Sequence, residues 1–448
     1  MIINTIFKKI NQQKNHKYYY LSPHVYAIGN CSEEIYYGLI KARLLKKKLV
    51  ILYPFDIPFL FRYKLTNSYL FSLESDYIYR PSVLILFCIR LLMTIIYGTL
   101  RVFSLFVRKI FNIRIADLYK FPSIGRDDLF VIDEHIESEL DFDLVEQFNW
   151  KDKFRYNFNF TIGGYGEENI DSYIRSIGIP NGARFVCIHV REGGFRDDIG
   201  RKDYRNSDIN NYIMAIKEIT SRGIWVVRMG DNTMNPLPEM KNVIDYPFSI
   251  FKSDFMDLCL IKHCYFCIAC QSGIFDTAKL FNKPILIINA YNWTFGGPFH
   301  CRDRGIIKHI YSLKEKRYLS TKELFSSGWE TQNLYGTIND YIFIENSQEE
   351  ILDAVVEYLT CLDSGLFVAS DRQIKAQNYI KQQARTIFSN NRLASYDVLN
   401  DHEETITRYR IASQVVGVEG VLCNSYLDKN WDNNPLNDKN AIQSNGVQ

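Results

Sequence analysis

The feature that most constrains the fold of this chain is a series of short, mainly apolar segments that alternate with helix-like segments between residues 184 and 289. These segments lack the apolar–polar alternation of half-exposed strands, so we predict strands buried on both faces. Buried strands that alternate with helices form a doubly wound parallel sheet. Ser207 is expected to cap one of the helices and Gly223 to end it. The predicted strands are 184–190, 224–229, 265–269 and 284–289, and the predicted helices are 207–222, 254–263 and 274–281.

A second strand–helix–strand pattern lies near the start of the chain. Residues 24–30 are predicted to form a strand, 31–48 a helix and 49–55 a second, parallel strand. The length of 448 residues fits two or three domains. We therefore predict an α/β protein with two Rossmann-like domains, at 1–160 and 161–360, and C-terminal helices with a frayed tail at 361–448.

The ten cysteines are dispersed, and most of them lie inside apolar runs. This usage argues against a disulfide-stabilised scaffold and indicates a reducing compartment. Cys264, Cys267 and Cys270 have a spacing that resembles a metal cluster. A strand that runs through them would place successive cysteines on opposite faces. We therefore predict buried structural cysteines and no metal site.

The charge of the chain is unevenly distributed. Residues 1–120 contain 18 Lys and Arg against 6 Asp and Glu, a net +12, while the whole chain has a net charge of only +2. Such a split indicates a basic surface that meets an anionic partner, either a lipid surface or nucleic acid. The basic residues accompany aliphatic rather than base-stacking patterns, so we predict a membrane surface and no nucleic acid.

Residues 82–100 form a 19-residue segment in which Arg90 is the only charge, and its apolar character continues to residue 107. The polar positions Arg90, Thr94, Tyr97, Arg101, Ser104 and Arg108 follow at steps of three and four, so they trace one stripe of a helix. Three alternatives remain open. The helix lies in a membrane interface with its arginines at the headgroups, it is buried inside the protein, or it spans the bilayer.

Polar residues follow the predicted strands of the second domain at their carboxyl ends, where open parallel sheets bind ligands. Guanidinium groups and the start of a helix at one edge favour a phosphate. Taken singly, each has a structural alternative: a surface ion pair for Arg191, an ordinary helix cap for Ser272, and a core histidine for His189. The candidate binding residues are His189, Arg191, Gly193, Arg205, Arg228, Asp231, Ser272, Gly273 and Asn289.

The hexapeptide from His189 to Gly194, HVREGG, resembles the HxRxG-type motif of fucosyltransferase-like enzymes, which have two facing Rossmann domains in the GT-B arrangement. The chain resembles more closely a group of bacterial glycosyltransferases of surface polysaccharide synthesis, over roughly residues 184–330. The resemblance implies that Arg191 binds the diphosphate of the donor. It also implies that the helix start at Ser272 and Gly273 holds the nucleotide.

These observations together predict a glycosyltransferase that uses a nucleotide-sugar donor and a glycan or lipid-linked acceptor. The second domain would bind the donor and the first the acceptor, without metal or another cofactor. Glu192, Asp197 and Asp198 are the candidate catalytic bases, and Asp56 of the first domain is an alternative. The expected location is cytoplasmic, at the inner face of the cytoplasmic membrane. The alternative is a non-catalytic, membrane-peripheral component that binds carbohydrate or nucleotide in a glycan assembly complex.

Overall fold

The structure is a computed structural model that describes residues 2–57, 64–112, 124–126, 129–130, 141–193, 203–293, 297, 300–326, 340–390 and 401–437. The strands in these parts are β1 (Tyr18–Leu21), β2 (Lys48–Ile51), β3 (Leu73–Glu74), β4 (Thr161–Ile162), β5 (Phe185–His189), β6 (Trp225–Arg228), β7 (Val243–Asp245), β8 (Phe266–Ala269), β9 (Ile285–Ala290), β10 (Arg304–Ile307), β11 (His309–Ser312), β12 (Arg317–Tyr318), β13 (Tyr341–Ile344) and β14 (Val421–Leu422).

The α-helices of the described parts are α1 (Ile2–Gln12), α2 (Ile28–Leu44), α3 (Val83–Phe111), α4 (Phe142–Gln147), α5 (Trp150–Phe154), α6 (Glu167–Ser176), α7 (Ile213–Ser221), α8 (Asp254–His263), α9 (Gly273–Leu280), α10 (Thr321–Ser326), α11 (Gln348–Ser364), α12 (Asp371–Asn390), α13 (Asp401–Gly417) and α14 (Asn424–Asn430).

The core of the molecule is a seven-stranded sheet in the order β14-β10-β9-β8-β5-β6-β7, and all of its pairs are parallel. Every residue of β5, β8 and β9 is buried, as expected of strands covered on both faces. Helix α7 packs against α11, and α8 packs against α9. The predicted α/β class, with a large parallel sheet, is confirmed.

A smaller parallel sheet forms near the start of the chain. β1 pairs with β2, and the backbone of residues 77–79 joins β2 on its other side through two hydrogen bonds of 2.8 Å. The predicted strand at 24–30 is wrong, because the strand lies earlier, at Tyr18–Leu21, and α2 already begins at Ile28. The four residues of β1 alternate between half-buried and buried, a pattern too short to stand out in a tyrosine-rich segment.

Helix α2 connects the smaller sheet to the larger one, since it packs against β1 and β2 and also against α9. The Ser32 and Thr277 hydroxyl groups form a buried hydrogen bond of 2.9 Å between the two helices. The C-terminal helices reinforce this junction. Arg410 of α13 forms an ion pair with the buried Glu33 of α2.

The domain boundaries near residues 160 and 360 stay predictions, and pairings of strands cross both of them. β3 pairs with β4 in antiparallel fashion, which joins residues 73–74 to residues 161–162. β14, at residues 421–422, completes one edge of the seven-stranded sheet. The predicted C-terminal extension therefore contributes a strand as well as helices.

The predicted long helix is present as α3, but its two faces are arranged differently from the expectation. Thr94, Tyr97 and Ser104 of the polar stripe are buried against the protein, and Arg90 and Arg101 are half-buried on the same side. The broad apolar face is exposed. The alternative of a helix buried inside the protein is wrong. Of the three arginines in the stripe only Arg108 is exposed, and the contact of this helix with a membrane stays a prediction.

Candidate functional site

The centre of the candidate site lies where β5 and β8 are neighbours. The chain runs from β5 to β6 on one side and later returns to β8 on the other, so the strand order reverses there. Such a switch point opens a crevice at the carboxyl ends of the strands. His189 ends β5 and Ser272 directly precedes α9, and Ser272 Oγ lies 2.8 Å from His189 Nδ1. This hydrogen bond spans the switch point.

The Ser272 hydroxyl has a different role from the ordinary helix cap that its position before α9 would favour. It bonds the imidazole of His189 and makes no capping bond to its own helix. Burial lowers the pKa of His189 to about 4, and the positive charges of Arg228 and Arg191 act in the same direction. The imidazole is therefore neutral at pH 7, with one ring nitrogen committed to Ser272.

A group of cationic side chains surrounds the end of β8, next to this pair. The backbone N–H of Arg191 donates to Cys270 Sγ at 3.0 Å, and the Arg191 guanidinium bonds the side chain of Asn206. Arg205 donates to the backbone oxygen of Gln271 at 2.8 Å. Lys308 donates to the backbone oxygen of Asn206. Three cations at one strand end form an environment for an anion such as a diphosphate.

Lys308 and Gln271 are two residues of this region that the sequence analysis missed. Lys308 directly follows β10, and burial lowers its pKa. Gln271 Oε1 accepts from the backbone N–H groups of Tyr291 and Asn292, both at 3.1 Å, so it joins the ends of β8 and β9. A lysine at the end of an apolar strand was the available signal for Lys308.

Arg228, a predicted substrate ligand, lies in the interior with its side chain fully buried. Its guanidinium forms ion pairs with Glu192 at 2.6 Å and with Asp245 at 3.2 Å. Glu192, a candidate base, uses its second oxygen to accept from the backbone N–H of Asn235 at 2.8 Å. Both residues therefore have protein partners that fit a structural role. Their contacts with substrate stay predictions.

Asn289 is likewise buried, and its side chain forms hydrogen bonds with the Tyr212 hydroxyl and the backbone N–H of Asn346. Asp231 lies in the turn after β6 and accepts from the backbone N–H of Thr233 at 2.9 Å. Gly193 lies in the turn after β5. Of the predicted binding residues, the structure thus brings together His189, Arg191, Arg205, Ser272 and Gly273 around the ends of β5 and β8.

Asp197 and Asp198, the other two candidate bases, lie outside the described residues. The predicted helix at 207–222 begins as a 3-10 turn at Ile209–Tyr212, which Asp208 rather than Ser207 caps, and it continues as α7. Gly223 follows the end of α7 with a φ of +74°, as predicted for a helix stop.

The cysteines of the predicted metal-like spacing lie in the core. Cys267 is the cross-strand neighbour of Cys187, and Cys264 Sγ donates to the backbone oxygen of Ile261 at 3.2 Å. No group of three or more His, Cys, Asp or Glu side chains with metal-binding geometry occurs in the parts of the chain that the structure describes.

The carboxyl end of the smaller sheet lies beside this site. Gly29 in the first turn of α2 contacts Gly273 at the start of α9, so the helices that follow β1 and β8 begin side by side. Asp56, which follows β2, is exposed. Burial raises the pKa of the Tyr26 hydroxyl, and the negative charge of Asp56 acts in the same direction. Tyr26 and Asp56 are thus polar groups that follow the carboxyl ends of β1 and β2.

No protein-family model matches the sequence, and a comparison with curated proteins finds no significant match. Among solved structures, the chain is similar to the crystal structure of the glycosyl transferase family 9 protein from Veillonella parvula DSM 2008. The similarity covers 78% of this chain and 99% of that chain, with 11% sequence identity and a TM-score of 0.40. A similarity at this level is too distant to assign a function.

Proposed function

We propose that this chain is a glycosyltransferase that moves a sugar from a nucleotide-sugar donor to a glycan or lipid-linked acceptor of surface polysaccharide synthesis. The observation that carries the proposal is the site at the switch point of the large sheet. His189 and Ser272 are joined there at 2.8 Å, beside Arg191, Arg205 and the start of α9. The resemblance of the HVREGG segment to a glycosyltransferase motif points to the same residues.

In this proposal the diphosphate of the donor lies against Arg191 and the first N–H groups of α9. Guanidinium forks and helix N-termini stabilise the negative charge that develops on a diphosphate leaving group. The neutral His189 orients the Ser272 hydroxyl without adding a charge of its own. These groups provide the stabilisation that a metal ion supplies in other glycosyltransferases, so the proposed reaction needs no metal.

The acceptor in this proposal binds at the facing carboxyl end of the smaller sheet, in a GT-B arrangement. The contact of Gly29, which follows β1, with Gly273 at the start of α9 supports this placement. Both oxygens of Glu192 are engaged by Arg228 and Asn235. We therefore place Asp56, an exposed carboxylate of the acceptor side, ahead of Glu192 as the general base, with Asp197 and Asp198 as the remaining candidates.

The test is a thermal-shift screen of the full chain against nucleotide sugars with different bases and sugars, followed by an assay of nucleotide release. A stabilising donor should lose its effect on Arg191→Ala. The matched control is Arg222→Ala, which removes an arginine paired with Glu218 at the end of α7. Absence of any stabilising donor, or equal binding by Arg191→Ala, would contradict the proposal. Binding without turnover would instead favour the non-catalytic component.

A further inference from the structure

The 29-residue helix α3 presents a continuous apolar face away from the protein. Thirteen large apolar side chains of this helix are exposed, and only 22% of its most apolar 18-residue window is buried. Val83 is 86% exposed, Leu84 73% and Val102 61%. An exposed apolar surface of this length in a soluble protein marks a contact with another apolar phase.

The outer face offers almost nothing to a protein partner beyond apolar area. Thr99, an exposed polar residue in its middle, donates its hydroxyl to the Ile95 carbonyl of its own helix at 2.8 Å. Protein interfaces carry roughly one hydrogen bond per 100–200 Å². In lipid, by contrast, a polar group without a hydrogen-bond partner is costly. A surface whose polar groups form their hydrogen bonds within the helix is therefore suited to contact with lipid.

The charges at the end of the helix complement an anionic leaflet. Arg108 and Lys109 in the last turn are exposed. Lys47, in contrast, is buried and donates to backbone oxygens near the end of α1, so it does not belong to this surface. The membrane contact is therefore mainly apolar, with a cationic contribution at the C-terminal end of α3.

The inner face of α3 decides how the helix lies in the membrane. Thr94 Oγ1 accepts from the backbone N–H of Phe55 at 2.8 Å, and the Arg90 guanidinium lies over the rings of Tyr53 and Phe55 at 4.4 and 4.2 Å. Tyr97 bonds the Tyr26 hydroxyl. The middle of the helix is thus packed along the folded protein, and a spanning helix would have to draw these polar contacts into the hydrocarbon.

We propose that α3 lies in the plane of an anionic membrane, with its outer face at the acyl boundary and its inner stripe on the segments that follow β1 and β2. The inner contacts are made with residues 53–55 and Tyr26, which follow β2 and β1. The acceptor side of the site is therefore held at the lipid surface. This last step rests on the proposed function, and within it the acceptor is lipid-linked.

The first test is co-sedimentation of the full chain with neutral phosphatidylcholine vesicles and with vesicles that contain phosphatidylglycerol. Because apolar insertion is not screened by salt, binding should persist at high salt and be stronger on anionic vesicles. Replacing Leu92 and Phe103 on the outer face, Leu92→Glu with Phe103→Glu, should weaken binding by roughly tenfold or more. The matched control, Leu366→Glu with Val368→Glu, changes residues that are 66% and 83% exposed outside α3 and should bind as the wild type.

The second test measures depth with nitroxide labels on single cysteines along α3. The natural Cys88 is exposed, and Leu92→Cys, Val102→Cys and Phe106→Cys extend the series. The background lacks the exposed Cys301 and the half-buried Cys361, and Cys88 is also replaced for the three new positions. Equal, shallow depths at all positions support the in-plane arrangement. Depths that pass through a maximum would show a spanning helix and overturn it, as would loss of vesicle binding by the control variant.

Two further outcomes separate this proposal from the proposed function. If the wild type ignores vesicles and sediments as a dimer that the outer-face variant dissociates, a second copy covers α3 and the membrane proposal is wrong. The outer-face variant should keep the thermal shift with nucleotide sugars, because Leu92 and Phe103 are exposed on the face of α3 that is turned away from the protein. Vesicle binding without any donor binding would contradict the proposed function and leave the membrane arrangement supported.

Discussion

Gly29 of α2 and Gly273 of α9 are in backbone contact across the junction between the two parallel sheets. A Cβ atom on Gly29 would lie 2.8 Å from the Gly273 Cα atom, and a Cβ atom on Gly273 would lie 3.0 Å from the Gly29 nitrogen. The helices that follow β1 and β8 approach this closely because neither residue has a side chain. The contact places the carboxyl ends of both sheets next to each other.

Gly29→Ala should therefore destabilise the protein by forcing these helices apart. Overpacking of this kind costs about 1–3 kcal/mol. Thermal or denaturant unfolding measures the effect. The matched control is Gly166→Ala, because a Cβ atom there meets nothing within 4 Å. Equal stability of the two variants would show that the junction tolerates a wider separation.

Glu192→Gln should lower the stability of the protein and leave most of its turnover. The carboxylate pairs with the buried guanidinium of Arg228 at 2.6 Å, and the amide replaces that charge–charge contact with a weaker hydrogen bond. General bases contribute about 10²–10⁴-fold to rate. We expect turnover to fall by less than about tenfold. Such a loss fits a structural role, because it is smaller than the loss expected when a general base is removed. A loss of a thousandfold with unchanged stability would identify Glu192 as the base after all.

Lys308→Met should weaken donor binding through the neighbours of the lysine. Lys308 holds the backbone of Asn206, whose side chain bonds the Arg191 guanidinium. We expect the Kd of the donor to rise by roughly tenfold, about 1.4 kcal/mol. Isothermal titration calorimetry with the donor from the thermal-shift screen measures it. Lys314→Met, at an exposed position after β11, should bind as the wild type.

Acid should destabilise the protein through His189. Its folded-state pKa is about 4, below the usual 6.5, so the unfolded chain binds the proton more strongly between these values. The stability that the neutral imidazole contributes is present above pH 6.5 and is lost as the pH falls toward 4, by at most about 1.4 kcal/mol per pH unit. The melting temperature of His189→Gln should therefore fall less on acidification than that of the wild type. If the melting temperatures of the two proteins fall in parallel as the pH is lowered, His189 is not the cause of the acid destabilisation.

The purified protein should contain no stoichiometric zinc or iron. Cys187, Cys264 and Cys267 are packed in the core, where burial raises the pKa of the Cys187 and Cys267 thiols and disfavours the thiolate that binds metal. Elemental analysis of the full chain is the measurement. One metal per chain that is lost on Cys267→Ser would require a different account of β8.

The sequence predicted the large sheet well because its strands are buried on both faces. β5, β6, β8 and β9 lie within the predicted strand ranges, apart from one residue at the end of β9, since short and mainly apolar segments between turns have few other possibilities. The predicted position of the site at their carboxyl ends follows from the same topology. The strand at 18–21 was missed, because four tyrosine-rich residues with weak alternation carry little periodic signal.

The sequence by itself determined the alternation of strands and helices, the presence of α3 and the residues at the strand ends. Each of these follows from local periodicity, which depends on neighbouring residues alone. Only the tertiary structure decided which partners those residues have. Arg191 follows β5 and Arg228 is the last residue of β6, yet one lies at the switch point and the other is buried between Glu192 and Asp245. The tertiary structure also decided that the polar stripe of α3 faces the protein, because the direction of a stripe depends on the surface that the helix packs against.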